Sequence, residues 1–414
     1  MAKNLSQVKT LVPEYLEEFR CIGSDCEDTC CIGWSVGIDD KTYKKYKKSR
    51  DPELKELFKE NLSRNRSNQS QQAYATIKMD ETGACPFLNE EKLCRVQLKL
   101  GESFLSNTCN TFPRISNQVN SMYERSATLS CPEAARLALL NPQGISFKEI
   151  KENNPGNVMV SKKLNENFLL ANNKLEKYFS EIRIFTIQVM KSRDYEIWER
   201  LLIIGLFLNE IQDQKDKDID VHKIIDNYTD MVQKGIFKNV LDEFTADESI
   251  QLEMLARITD LRASIGIKSK RYAECVEEAL KGIDFKENVD RKELTQTYKR
   301  VYQEFYTPFM KDKEFILENY LVNYMFKQLF PFDGRDIFEN YVVLIIHYTL
   351  IKFNLVGMTG YYKDQMEEDH VIKLIQSFAK VIEHNRTFVA TVFEALKKAG
   401  FNSLPHMAIL IRNE

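Results

Sequence analysis

Glycine is scarce in this sequence, 15 of 414 residues, and none of it is arranged as G-x-G-x-x-G or G-x-x-x-x-G-K-[ST]. The usual dinucleotide and P-loop phosphate cradles are therefore absent. No H-E-x-x-H and no G-x-S-x-G occurs either, which counts against zincin-type and hydrolase-type chemistry. Net charge is nearly nil, -3 over 119 charged side chains (58 basic, 61 acidic). Such a balance gives no electrostatic reason to expect nucleic acid or a membrane surface as partner. Long apolar runs are also missing: the longest, Leu201 to Leu208, is far short of the ~20 residues of a membrane span. The opening MAKNLSQVKTLVPEYLEEF lacks the apolar stretch of a secretion signal. The expectation is a cytoplasmic protein, where thiols stay reduced and act as ligands or catalysts more often than as disulfides.

Histidine is absent from the first half, and all five histidines lie beyond residue 220. Eight of the nine cysteines, by contrast, lie between residues 21 and 131. They read Cys21-x4-Cys26-x3-Cys30-Cys31, then Cys85, Cys94, Cys109 and Cys131. Short spacings let one loop offer several thiolates to one centre, which a second segment closes. Without nearby histidine, the set predicts an all-thiolate metal site, and by spacing alone zinc and iron–sulfur suit it equally. Eight thiols allow two four-ligand sites, or one site with spares. Adjacent Cys30 and Cys31 would point apart if the backbone were extended there. The ninth, Cys275, sits in the helical pattern RYAECVEEAL and reads as a packing residue.

The two halves differ in pattern. Short strands are expected at Tyr74–Met79 and Met122–Leu129, with a polar loop from Asn61 to Gln72. From about residue 160, apolar residues recur at helical spacing in Phe168–Met190, Ile197–Ile211, Glu314–Phe330 and Ile337–Val356. Breaks are expected at residues 153–156, 212–218, 331–334 and 357–360. The fold class predicted is mainly α: a small α+β cysteine-rich domain, residues 1–145, packed on a larger all-helical domain, residues 146–414. A local echo, Glu318-Asn319-Tyr320 and Glu339-Asn340-Tyr341, marks the start of two helical runs.

Several segments resemble the flagellin lysine-N-methylase family. They are VPEYLEEFRCIGSDCEDTCCIGWSVGIDDKTYKKYK, CPFLNEEKLC, CNTFPRI, LSCPEAARLAL, ENYLVNYMFKQLFPF and ENYVVLIIHYTLIKFNLVGM. The cysteine part is also similar to the wider class of small zinc- or iron-chelating domains. The resemblance implies methyl transfer from S-adenosylmethionine to lysine side chains of flagellin, with a [4Fe-4S] cluster held by four of Cys21, Cys26, Cys30, Cys31, Cys85, Cys94, Cys109 and Cys131. The spacing is not the C-x3-C-x2-C of typical radical S-adenosylmethionine enzymes, which argues against a conventional radical mechanism.

Methyl transfer needs a neutral amine, and free lysine titrates near ~10.4. Polar groups inside apolar helical runs are the candidates for handling that amine. They are His347, Asn340 and Tyr324, each equally readable as a satisfied core residue. On the cofactor side, Arg114 and Arg125 could pair with a carboxylate, including the donor's own, or form ordinary salt bridges. Trp34, three residues after Cys31, is placed to shield the metal site. The rival reading is a non-enzymatic protein with structural zinc and a helical partner-binding domain.

Overall fold

Strand β1 (Gln7–Pro13) runs beside two partners of opposite sense: β6 (Met122–Ala127) in parallel and β7 (Phe147–Asn153) antiparallel. Strand β5 (Arg114–Val119) forms a hairpin with β6 and also pairs in parallel with β8 (Val160–Leu164). The hairpin turns at Asn120-Ser121, and Asn120 has φ 52°, a left-handed value that Asn tolerates. The result is a five-stranded sheet of order β7-β1-β6-β5-β8. Two of its strands come from beyond residue 145. This computed structural model describes residues 7–33, 36–66, 73–153, 159–166, 175–214, 219–244, 247, 250–255, 269–286, 291–383 and 385–413.

Between β1 and β5 the chain builds a small separate core. Asp39 caps the Asp40–Lys47 helix by accepting the Thr42 backbone N–H at 2.9 Å, and Asp51, followed by Pro52, starts the Pro52–Asn61 helix in the same way. The two helices pack on a three-stranded sheet, β2 (Gly37–Ile38), β4 (Ala75–Ile77) and β3 (Leu62–Arg64), in the order β2-β4-β3. Tyr46 stacks on Phe58 at 4.0 Å, and Phe87 meets Phe58 edge-on. The strand expected at Tyr74–Met79 is β4, and that expected at Met122–Leu129 is β6. The stretch expected to be a loop from Asn61 begins instead as β3, paired with β4; its residues 67–72 lie outside the described residues.

The remainder is helical, and the whole is 61% helix and 12% strand, in agreement with a mainly α fold. Helices occupy Phe179–Met190, Ile197–Gln214, Lys270–Gly282, Phe315–Gln328 and Glu368–Phe378 around a central 26-residue helix, Ile337–Tyr362. Asp336 caps the central helix by accepting the Glu339 N–H at 2.7 Å. The break expected at residues 357–360 does not occur: the helix runs on to Tyr362. Gly357 and Gly360 instead let the Lys270–Gly282 helix come into backbone contact there, since a Cβ on Gly357 would fall 2.3 Å from the Ala279 carbonyl oxygen. By length and hydropathy the central helix could cross a bilayer, but its apolar window is entirely buried among its neighbours. Cys275 is fully buried between helices.

Polar bonds fix the sheet to this bundle. Glu124 of β6 takes both guanidinium nitrogens of Arg183, at 2.5 and 2.6 Å, with both side chains buried. Tyr15 donates to Asn323 at 2.7 Å, and Asn323 donates to the Ala127 carbonyl. Asn117 of β5 donates to the carbonyl of Lys327. These contacts set the first strand of the hairpin against the helix that carries Tyr324.

Candidate functional site between sheet and bundle

Two adjoining cavities lie where β5 and the Thr128–Ser130 segment face the bundle. They share Ile115 and Thr128 as a common wall. One, of about 230 Å³, is almost wholly apolar and is bordered by Cys30, Gly33, Phe112, Pro113, Arg114 and Lys380. The other, of about 170 Å³, is polar and is bordered by Tyr324, Lys327, His347, Glu383, Lys162 and Arg335.

The polar cavity collects charge from three elements. Tyr324 and Lys327 come from the Phe315–Gln328 helix, one turn apart, and His347 from the central helix. Glu383 ends a π-helical turn, Ala379–Glu383, that follows the Glu368–Phe378 helix. Such turns recur at functional positions. Lys327 donates to Glu383, and both side chains are buried, 5% and 1% exposed. The His347 ring stands edge-on to Tyr324 at 5.1 Å, and neither of its nitrogens has a hydrogen-bond partner. Buried polar atoms are nearly always paired, so this imidazole faces a space meant for another group. Burial lowers its pKa to about 4, with Glu383 opposing and Lys327 and Arg335 reinforcing the shift. The ring is therefore neutral near pH 7.

A pH consequence follows. Because the folded value lies below the unfolded ~6.5, protonation favours the unfolded chain. The stabilising contribution is complete above pH ~6.5, declines as pH falls, and is gone below about 4. The full loss is about 3 kcal/mol. His347→Phe should flatten the acid limb of the stability profile over that window, as read by circular dichroism during acid unfolding.

Asn340 borders neither cavity. Its amide donates to the carbonyls of Pro331 and Asp336, at 2.7 and 3.2 Å, and holds the turn before the central helix. Arg125 forms a two-pronged pair with Glu152 across the sheet, at 2.6 and 2.8 Å. Arg114 lines the apolar cavity, its guanidinium 5.1 Å from the Phe19 ring, and it has no carboxylate partner among the described residues. Burial and the nearby Arg125 and Arg20 lower its pKa. Trp34 lies outside the described residues.

Cys30 borders the apolar cavity, at the edge of the cysteine-rich region. The chain turns at Cys30-Cys31 rather than extending, so the two thiols meet instead of pointing apart: a shared hydrogen bond lowers the pKa of Cys30 and raises that of Cys31. Cys31, Cys85, Cys94 and Cys109 all pack on the small core, tied by the Cys85 N–H to Cys31 carbonyl bond of 2.8 Å. Cys26 and Cys131 sense each other, Cys26 senses Cys21, and Cys30 lies within electrostatic range of both groups. Burial pushes Cys85 and Cys131 up to about 12 and Cys109 to about 11. Clustered neutral thiols of this kind ionise readily only with a cation among them. Their chemistry suits an all-thiolate centre, although among the described residues no three Cys, His, Asp or Glu side chains stand assembled around one point.

The cysteine loop is clamped to the bundle. Asp28 accepts Lys380 at 2.7 Å and Gln376 at 2.7 Å, while Glu27 pairs with Arg136 and, at 3.6 Å, with Arg271. Sequence reading missed Lys327, Lys380 and Glu383. Their signal was present: each is a charge inside an otherwise apolar run, YMFKQLF and SFAKVIE.

Comparison with known proteins agrees with this architecture. Residues 183–410 match the family described as the FliB lysine N-methylase C-terminal domain. Proteins named lysine-N-methylase from Salmonella choleraesuis and Salmonella typhimurium are each 22% identical over 395 residues, spanning 92% of this chain and 93% of theirs. The flagellar biosynthetic protein FliU of Salmonella muenchen is 34% identical over 148 residues, 36% of this chain and 86% of its own length. No solved structure matches. With more than half of its length matched by the family's C-terminal domain, and relatives aligned through the cysteine-rich half as well, the chain belongs to the FliB lysine N-methylase family.

Proposed function

We propose that this protein transfers methyl groups from S-adenosylmethionine to lysine side chains of flagellin, at the paired cavities between sheet and bundle. One observation carries the reading: a buried, neutral His347 with both nitrogens unpartnered, facing a polar cavity that adjoins an apolar one. The apolar cavity suits the donor, with Arg114 available for its carboxylate. The polar cavity suits the amine. Burial that lowers the pKa of His347 also disfavours the ammonium form of an incoming lysine. His347 accepts a hydrogen bond from the amine N–H and so aims the nitrogen lone pair at the methyl carbon. The nitrogen–carbon bond forms as the sulfur–carbon bond breaks, and the electron pair stays on sulfur. Holding the reactants in line in a small, largely dry space supplies much of the rate. Tyr324 and the other aromatic rings offer faces to the cationic centres.

The four thiols around the small core, Cys31, Cys85, Cys94 and Cys109, are the set we assign to a [4Fe-4S] cluster, with zinc as the alternative metal. When bound, the cluster would supply a redox-active iron centre near the Cys30 end of the apolar cavity. The test is anaerobic. The protein is loaded with iron and sulfide, given S-adenosylmethionine and flagellin, and flagellin peptides are weighed for added methyl groups on lysine. Methylated lysines are expected; unmodified flagellin from fully loaded protein would sink the proposal. Stoichiometric zinc in a colourless, active protein would replace the cluster assignment alone.

A further inference from the structure

We infer that Glu383 is the receptor for the ammonium of the target lysine, and that Lys327 is a resident stand-in that competes for it. The inference rests on the methyl-transfer reading, and it assigns a residue that the reading did not use.

The polar cavity already holds an ammonium on a carboxylate. Lys327 Nζ donates to Glu383 Oε2, both groups border the cavity, and both are nearly shut off from solvent. A buried ion pair is poor evidence of a stabilising device, because an apolar pair of similar volume usually does as well or better. Its retention inside a cavity therefore needs another reason. Around the carboxylate stand Tyr320, Tyr324 and His347, each close enough to feel the charge of Glu383. A carboxylate among aromatic rings is what a lysine side chain would select: an ion pair for the nitrogen and ring faces beside it. At the rim, Lys162 pairs with Asp333 at 2.5 Å, so a second cation sits beside the entrance.

The geometry of the helix agrees. Glu383 reaches the cavity because the Glu368–Phe378 helix widens into a π turn before it ends. A carboxylate has several acceptor sites, so an arriving ammonium can engage Glu383 before Lys327 withdraws. His347 then lies beside the newly bound nitrogen, where its unpartnered ring atoms can accept an N–H. Glu383 thus touches the substrate, and Lys327 acts as a positioning residue.

The probe is n-butylammonium, the lysine side chain without its backbone, titrated into the purified full-length protein and followed by thermal shift and calorimetry. Neither readout needs the cluster, the donor or turnover. Wild-type protein is expected to bind it weakly. Lys327→Met, which removes the competitor, should bind at least tenfold more tightly. The double variant Lys327→Met/Glu383→Gln should lose binding while keeping its fold, since it removes both charges together. Equal affinity in wild type and the double variant, or no tightening in a folded Lys327→Met, would overturn the inference. If Lys327→Met does not fold, Lys327→Gln replaces it and the same tightening is required. Loss of flagellin methylation in wild type with butylammonium binding intact would count against the methyl-transfer reading and leave Glu383 as an ammonium receptor.

Discussion

Gly282→Ala is expected to leave little folded protein. A Cβ on Gly282 would lie 1.8 Å from the Gly357 carbonyl oxygen and 2.6 Å from the Tyr361 nitrogen. Both obstacles are backbone, so no rotamer change relieves them. Gly357 has the reciprocal problem against Ala279. Ordinary helix pairs keep their axes 8–10 Å apart; these two touch main chain to main chain and would have to separate. Overpacking usually costs 1–3 kcal/mol. Here the added methyl must displace the central helix, which is buried on every side, so a loss above about 3 kcal/mol is expected. Soluble yield and the thermal midpoint measure it. A Gly282→Ala protein with a wild-type midpoint would show that the two helices can part without cost.

Glu318→Ala should be almost as damaging. Its carboxylate is 2% exposed and takes Arg200 at 2.8 Å and Arg193 at 2.9 Å. Arg200 is itself buried and also donates to the carbonyls of Tyr195 and Met190. Truncating Glu318 strands that guanidinium without a counter-charge. Removing one partner of a buried pair costs about 3–5 kcal/mol. Arg193→Ala, on the exposed side of the same carboxylate, should cost less than about 1 kcal/mol. Denaturation of the two variants side by side checks the contrast, and equal losses would contradict it.

The same residues show what could be read from the chain and what could not. The two EN-Y echoes marked helix starts correctly, yet the positions do unlike work. Glu318 is a buried hub, whereas Glu339 pairs with Lys397 nearer the surface at 3.5 Å. Asn319 donates to the carbonyls of Leu139 and Asn141, and Asn340 to that of Pro331. Periodicity reports which side of a helix is apolar, not which neighbour it meets. For that reason the long helices were legible and the Gly357–Gly360 contact was not. Glycine within a helical pattern signals either a stop or a close approach, and only the partner helix decides. Likewise His347 and Tyr324 stood out as polar groups in apolar runs, while Glu383 did not. Its neighbour across the cavity, Lys327, is 56 residues away in the chain, and no local pattern joins them.

The π turn at Ala379–Glu383 also bears on descent. In an α-helix, residues three apart share a face. The wider turn splays them, so Lys380 reaches the cysteine loop while Glu383 reaches the polar cavity. A π turn behaves as a single inserted residue that the helix has absorbed. Deleting one residue there would restore α spacing and swing everything beyond it by about 100° relative to what precedes it. Lineages that lost that residue could not keep both contacts. A one-residue gap at this turn would therefore separate relatives more sharply than any substitution, and it could be scored from genomes alone.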